Sequence, residues 1–341
     1  MLVTKQPVLR RFWYPVLPES ELGEAPVPFT LLGEDIVLWR TADGSVGCVQ
    51  DRCCHRTAKL SVGFVKDGNI ACGYHGWEYD AAGDCVCIPQ QADPHKISSG
   101  VQVPAYRAEL KYGHVWVALD EPLTGIPHFP EDEEGLRRID QFYEEWKIGG
   151  LRLMENSFDA AHIAFVHKDT FGDISRPTTN RHNIEEFDYG FNYSSHSEVK
   201  NRDGVSNRYL GGETSEDTVR QNRSTWHMPL VRRLGITYPT GLRHTIITAA
   251  TPMTDNRTML VQWCYRSDTE EEAKAEDIIA FDRAVTLEDK EVLEATEFDV
   301  PLDNRDTSEF HMYSDTPGLR MRRMLSDLLE KHGETDMRLA S

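Results

Sequence analysis

Cys53-Cys54-His55-Arg56 and, sixteen residues on, Cys72-Gly73-Tyr74-His75-Gly76-Trp77 decide how this sequence is read. Each half offers one soft thiolate and one imidazole. A [2Fe–2S] cluster holds two irons, and each needs two protein ligands. Where imidazoles replace two of the four thiolates, the cysteines hold one iron and the histidines the other. The neutral rings remove negative charge, raise the reduction potential and leave ring edges near the surface for electron exchange. The Asp67-Gly68 turn between the halves and Gly76 after His75 suit two short hairpin tips that face each other. A structural zinc site is the alternative. Zinc fingers, however, usually pair Cys with Cys and His with His, whereas each half here mixes the two.

The rest of the composition agrees with a metal-bearing, water-soluble chain. Of 341 residues, 39% are hydrophobic and 27% charged, enough for two packed domains. The net charge of −19 opposes binding to nucleic acid or anionic lipid. No apolar run reaches the roughly 18 residues of a membrane span. Met1 to Arg11 lacks the apolar core of a secretory signal. Six of the seven cysteines lie between Cys48 and Cys87, with Cys264 alone. An odd, clustered set interleaved with histidine points to metal in a reducing cytoplasm rather than to a disulfide scaffold. Cys85 and Cys87 share one face of a short strand and read as core residues.

Working outward, Phe29–Leu32 and Ile36–Trp39 predict strands around a Gly33-Glu34-Asp35 turn, and Gly113–Leu119 closes a run of short β segments. These divide the chain into an N-terminal segment (1–34), an all-β domain (35–122) and, after a Pro-, Gly- and acid-rich linker near 121–135, an α+β domain (123–341). In the last, Leu151–Val166 has helical character, Thr245–Thr248 and Met259–Trp263 read as strands, Thr269–Thr296 as a long helix, and Leu319–His332 as a terminal helix stopped by Gly333.

A second constellation lies in Glu155-Asn156-Ser157-Phe158-Asp159-Ala160-Ala161-His162, continuing to His167. Spacings of four and three put Glu155, Asp159 and His162 on one helical face. His167 falls about 140° from His162 on a regular helix, too far round to share a metal, so the helix is expected to distort or end between them. Two imidazoles and one carboxylate on one face of an iron leave sites open for dioxygen and substrate. Asp289 interrupts the apolar stripe of Val285 and Val292 and is the preferred carboxylate; Glu288 and Asp282 are its rivals. Taken alone, His162, His167 and Asp159 are equally readable as ordinary helix residues.

The two Cys-His halves closely resemble the Rieske signature of ring-hydroxylating and demethylating non-haem iron oxygenases, and the resemblance runs from Arg11-Phe12-Trp13-Tyr14-Pro15-Val16 to the C-terminal helix. Cys54 and Gly73 stand where many relatives have proline. Neither is a ligand position, and Cys54, next to Cys53 on an expected strand, should point away from the iron. The resemblance implies a small β domain with a Rieske cluster on Cys53, His55, Cys72 and His75. It implies a larger helix-grip-like domain of antiparallel sheet and helices, with mononuclear Fe(II) on His162, His167 and Asp289 and dioxygen as co-substrate. It implies that Asp159 bridges His162 to His75 of the partner subunit, with Glu155 and Asn156 in support, and hence a ring-shaped homotrimer. Electrons would come from a separate reductase or ferredoxin. NAD(P)H would bind there, since this chain has no glycine-rich dinucleotide fingerprint. The chain looks most like single-component-type oxygenases, which implies hydroxylation or oxidative demethylation of a small aromatic, heterocyclic or polycyclic molecule. Ring cis-dihydroxylation is the enzymatic alternative, and a Rieske electron carrier without oxygenase activity is the alternative from another class. His244 resembles a substrate-contacting position of some demethylases, with Arg223 and His227 as weaker candidates. Arg320, Arg322, Arg323 and Lys331, with Arg52, Arg56 and Lys59, offer a basic surface for an acidic redox partner, or simply a solvated helix face.

Overall fold

The computed structural model describes residues 1–179, 181–200 and 217–339. It divides the chain into two compact units, Leu9–Ile126, and Met1–Val8 with Pro127–Ser341.

The smaller unit is all β. Tyr14–Pro18 (β1), Val27–Leu31 (β2), Glu34–Arg40 (β3), Val46–Gln50 (β4), Phe64–Lys66 (β5), Asn69–Ala71 (β6), Glu78–Tyr79 (β7), Cys85–Cys87 (β8), Arg107–Lys111 (β9) and His114–Ala118 (β10) form three antiparallel sheets. Their orders are β1-β10-β9, β2-β3-β4 and β5-β6-β7-β8. The β2–β3 loop is tighter than its sequence suggests. Leu31 pairs with Glu34, so the turn is Leu32-Gly33, both left-handed at φ 52° and 78°. Such a two-residue turn matches the twist of the flanking strands, which explains why Glu34 and Asp35 are strand rather than turn. Asp67-Gly68 makes the same turn between β5 and β6. Val37, Trp39, Val49, Leu60, Ile70 and Tyr79 pack together, with Cys53, Cys72 and Cys85 inside the same cluster.

The larger unit is built on a seven-stranded antiparallel sheet. Arg137–Trp146 (β11), Asn183–Phe187 (β12), Gly190–Lys200 (β13), Asp217–His227 (β14), Val231–Thr237 (β15), Arg243–Thr254 (β16) and Arg257–Arg266 (β17) stand in the order β11-β17-β16-β15-β14-β13-β12. Alternation sends every second side chain to one face. Cross-strand pairing aligns these in rows, such as Asn222, Ile236, His244 and Arg266, or Ser224, Leu234 and Ile246. Helices cover that face. The long one is Ala275–Leu293, shorter than its composition predicts. Thr269 and Glu272 hydrogen-bond each other's backbone amides, which closes a separate turn before it. The helix Gly150–Phe158 packs under the terminal helix Thr316–Lys331. Among the described residues no helix is long and apolar enough to cross a membrane.

Candidate metal centres

In the smaller unit the two Cys-His loops share one backbone design. Cys53 N–H donates to Ala58 O and Thr57 N–H to Cys53 O; Cys72 N–H donates to Trp77 O and Gly76 N–H to Cys72 O, all at 2.8–3.0 Å. Thr57 and Gly76 occupy the equivalent left-handed position, at φ 59° and 72°. The loops present their sulfurs inward and their imidazoles outward: Cys53 and Cys72 are 2% and 1% exposed, and His55 and His75 are half-exposed. The two rings lie edge to face at 4.6 Å, and Trp77 stacks on His55 at 4.5 Å. His55 Nδ1 is buried without a hydrogen-bond partner. Among the described residues, the four donors do not form a compact group within 4.8 Å. A zinc tetrahedron draws its donors to within about 4 Å of one another. The arrangement suits a larger, two-iron body with thiolates on one side and imidazoles on the other.

Tyr79 is a participant that the sequence does not announce. Its hydroxyl lies 3.1 Å from Cys53 Sγ and 3.3 Å from Cys54 Sγ. Residues 53–58 are loop, not strand. Strand alternation therefore does not separate these neighbours, and both sulfurs approach one phenol. Burial pushes that phenol's pKa up, and the two thiols push it further.

In the larger unit His162, His167 and Asp289 converge. The Nε2 atoms of the two histidines are 3.2 Å apart, and each is 3.4 Å from Asp289 Oδ1. Bonds of about 2.1 Å at right angles put donors about 3 Å apart, so the triangle fits three ligands on one face of a single ion. Asp289 Oδ1 is buried without a hydrogen-bond partner, as a ligand oxygen held for a metal would be.

The chain reaches this geometry by breaking its helix earlier than predicted. The first helix ends at Phe158, Asp159 turns extended (ψ 128°), and a single new turn, Ile163–Val166, separates the histidines. Asp159 causes the break. Its carboxylate accepts from the Ala161 amide at 2.7 Å and the His162 amide at 3.3 Å, competing with the helical ladder. Asp159 Oδ2 is also 3.4 Å from His162 Nδ1. Burial works to raise the Asp159 pKa, but these contacts outweigh it and hold it below the usual carboxylate range.

Glu288 supports rather than joins the triangle. Its Oε2 is 2.8 Å from His167 Nδ1 and accepts from Thr170 Oγ1 at 2.9 Å. Asp282, the other rival, lies in a separate buried group with His244 and Cys264; it accepts from Gln141 and faces His244 Nε2 at 3.4 Å. Val292 is 50% exposed, and Leu293 fills the buried position in its place.

The triangle opens on a cavity of about 210 Å³ lined by Asn156, Asp159, His244, Trp146, Phe158 and Phe171 among others. Phe171 stacks on His167, ring centroids 5.0 Å apart. Arg232 also lines it, with Phe158 under its guanidinium at 5.3 Å; burial pulls its pKa down to about 10. Other candidates lie elsewhere. Glu155 binds Arg322 at 2.5 and 3.1 Å and Arg152 at 3.0 Å, and both arginines also bind Glu309, which locks the first helix to the last. His227 is half-buried against Phe129, and neither it nor Arg223 lines the cavity. Arg322 is 3% exposed, so it is withdrawn from the expected basic docking surface.

The Rieske [2Fe-2S] domain family matches residues 12–107, and the vanillate O-demethylase oxygenase C-terminal domain family matches residues 150–331. Methylxanthine N1-demethylase NdmA of Pseudomonas putida is 29% identical over 345 residues, covering 96% of this chain and 91% of that protein. A solved structure of Pseudomonas putida CBB5 NdmA, a QL mutant with theobromine, superposes with a TM-score of 0.81 at 27% identity, covering 97% of this chain and 93% of that one. Dicamba monooxygenase bound to 3,6-dichlorosalicylic acid shares the fold, with a TM-score of 0.81 at 20% identity and coverages of 96% and 99%.

Proposed function

We propose, from the premise that this chain belongs to the Rieske non-haem iron oxygenases, that it inserts one oxygen atom into a C–H bond of a small aromatic or heteroaromatic substrate. The reaction is a hydroxylation, or a demethylation that releases formaldehyde. Two electrons from a separate reductase or ferredoxin and two protons balance it, and the second oxygen atom leaves as water. The observation that carries the reading is the triangle of donors 3.2–3.4 Å apart facing a ring-lined cavity. About 150 Å³ suffices for benzene, so the cavity suits one substituted ring or a fused pair. The likeness to a methylxanthine demethylase across almost the whole chain favours demethylation over dihydroxylation.

Iron held by His162, His167 and Asp289 would supply dioxygen activation, and the cluster on Cys53, His55, Cys72 and His75 would supply electrons. The protein's own contribution is placement. Glu288 accepts a hydrogen bond from His167 Nδ1–H and fixes that ring so that Nε2 faces inward. Asp159 Oδ2 faces His162 Nδ1 at 3.4 Å and orients that ring from the same side. Phe158, Phe171 and Trp146 keep water from the reacting carbon and hold the substrate ring. Asp159 also joins the two centres between chains: in a homotrimeric ring it reaches His75 of the partner subunit.

Metal analysis and turnover test the reading together. About three irons and two sulfides per chain are expected, with substrate-dependent oxygen uptake and formaldehyde release in a screen of methoxy- and N-methyl-arenes supplied with a generic reductase. Two irons per chain and no substrate-dependent uptake would reduce the protein to an electron carrier.

A further inference from the structure

Arg220, on β14, is 7% exposed and lines the same cavity. Its guanidinium makes no hydrogen bond or ion pair to a described residue, and its Nε is buried without a partner. Two rings contact it instead, Phe171 at 5.0 Å and Tyr238 at 5.4 Å. Ring contacts of this kind use no N–H donor in a hydrogen bond, so the donors remain available. Arginine does not shed its charge, and a buried charge is retained only where something pairs with it.

The acids of the cavity are committed elsewhere. Asp282 accepts from Gln141 and faces His244, Asp159 accepts from two amides and faces His162, and Asp289 faces the histidine pair as a candidate metal ligand. Phe171 links Arg220 to the metal triangle, because it also stacks on His167 at 5.0 Å. Two steps of 5.0 Å put the guanidinium no farther than about 10 Å from that imidazole. Both line the one cavity, so a single substituted ring held there can address the two, one substituent to each. Planar carboxylates match the arginine fork by two parallel bonds.

We propose that Arg220 binds the carboxylate of an aryl carboxylate substrate and so presents the ring's opposite substituent to His162, His167 and Asp289. The inference rests on the oxygenase reading of that site and adds its substrate class.

The test is calorimetric titration of the iron-loaded protein with the three methoxybenzoates and the three methoxybenzamides, which differ in charge but hardly in shape. At least one methoxybenzoate is expected to bind 10-fold or more tightly than its amide. Arg220→Gln should cut that ratio by about 10-fold or more, towards one, and Arg220→Lys should keep part of it, with the cluster absorption intact in both. Should Arg220→Gln not fold, the acid-to-amide ratio of the unaltered protein decides. Equal affinity for acid and amide, no binding of any methoxybenzoate, or an unchanged ratio in Arg220→Gln overturns the proposal. Formaldehyde release measured in parallel separates the two readings. A carboxylate preference without turnover sinks the oxygenase and keeps Arg220; turnover of neutral methoxyarenes without that preference does the reverse.

Discussion

Glu288→Gln and Glu288→Ala test whether Glu288 orients a ligand or is one. Glu288 Oε2 sits 2.8 Å from His167 Nδ1 and 2.9 Å from Thr170 Oγ1, while the carboxylate facing both histidine Nε2 atoms is that of Asp289. His167 is only 3% exposed and Glu288 22%, so the contact is weakly screened. A charge-assisted bond contributes about 1.5–3 kcal/mol and a neutral one about 0.5–1.5. Glutamine keeps an acceptor but loses the charge, a deficit of about 1–1.5 kcal/mol, or roughly ten-fold in metal affinity. Alanine loses the bond altogether, and outer partners of metal-bound histidines are worth about 10- to 100-fold. The assay is iron content after equilibration at graded free Fe(II), read beside the cluster absorption. Both Glu288 variants should load fully at high iron, with midpoints displaced by those factors. Asp289→Ala should stay near two irons per chain at every concentration, with its cluster spectrum unchanged. The reasoning is refuted if Asp289→Ala loads its third iron while Glu288→Gln does not.

Tyr79→Phe removes the hydroxyl 3.1 Å from Cys53 Sγ, so the cluster's reduction potential should fall by roughly 20–60 mV in a redox titration; Cys54→Ser should leave two cluster irons and two sulfides by chemical analysis. Arg322→Ala leaves Glu155 and Glu309 to share Arg152 alone around a side chain only 4% exposed, and should lower the melting temperature by roughly 10 °C. Glu155→Gln should also destabilise the fold, yet leave three irons per chain by metal analysis. Burial of its ring nitrogen, with help from the charge of Arg233, holds His227 near a pKa of about 4, below its ordinary 6.5. The unfolded chain therefore takes up the proton first, and stability present above pH 6.5 is lost as pH falls towards 4, by roughly 3 kcal/mol. His227→Gln should flatten that part of the urea-midpoint profile; an equally steep profile would place the acid sensitivity elsewhere.

The small β unit and the antiparallel sheet with its helices were legible because both are written locally. Alternation marks the strands, and a Cys-x-His with a Cys-x-x-His needs only its own spacing to be read. What was not legible depends on direction. Glu288 and Asp289 are adjacent acids; the apolar stripe favours Asp289, but Val292 in that stripe is exposed, and the rotation of the helix Ala275–Leu293 against the sheet decides which acid faces the histidines. The break at Asp159 was hidden for a related reason. Helical spacing from Glu155 to His162 is real, but an Asp that captures the two amides ahead of it overrides that spacing. Arg220 looks like any strand arginine until its parity on β14, and hence the face it occupies, is known. Cys54 shows the converse, since a rule for strands was applied to residues that form a loop.

The proposed path through Asp159 makes one demand that no single-chain variant can meet. If electrons pass from the cluster of one chain to the iron of the next, two inactive chains should restore each other. Asp289→Ala keeps its cluster and loses its iron; Cys72→Ser loses its cluster and keeps its iron. Each alone should be inactive. Unfolded together in equal amounts, then refolded and reconstituted, they should form mixed rings. A given site then works when its own iron is present, half of the time, and its neighbour's cluster is present, half of the time. Turnover should therefore recover to about a quarter of the unaltered protein's rate per chain. Electron transfer confined within one chain predicts none, because no chain in the mixture carries both centres. Substituting Asp159→Asn in the iron-bearing partner alone should abolish the recovery, while the same substitution in the cluster-bearing partner should leave it intact. That asymmetry gives the bridge a direction, from cluster donor to iron acceptor. Recovery that is indifferent to which partner carries Asp159→Asn would refute the bridge, even if the ring itself is real.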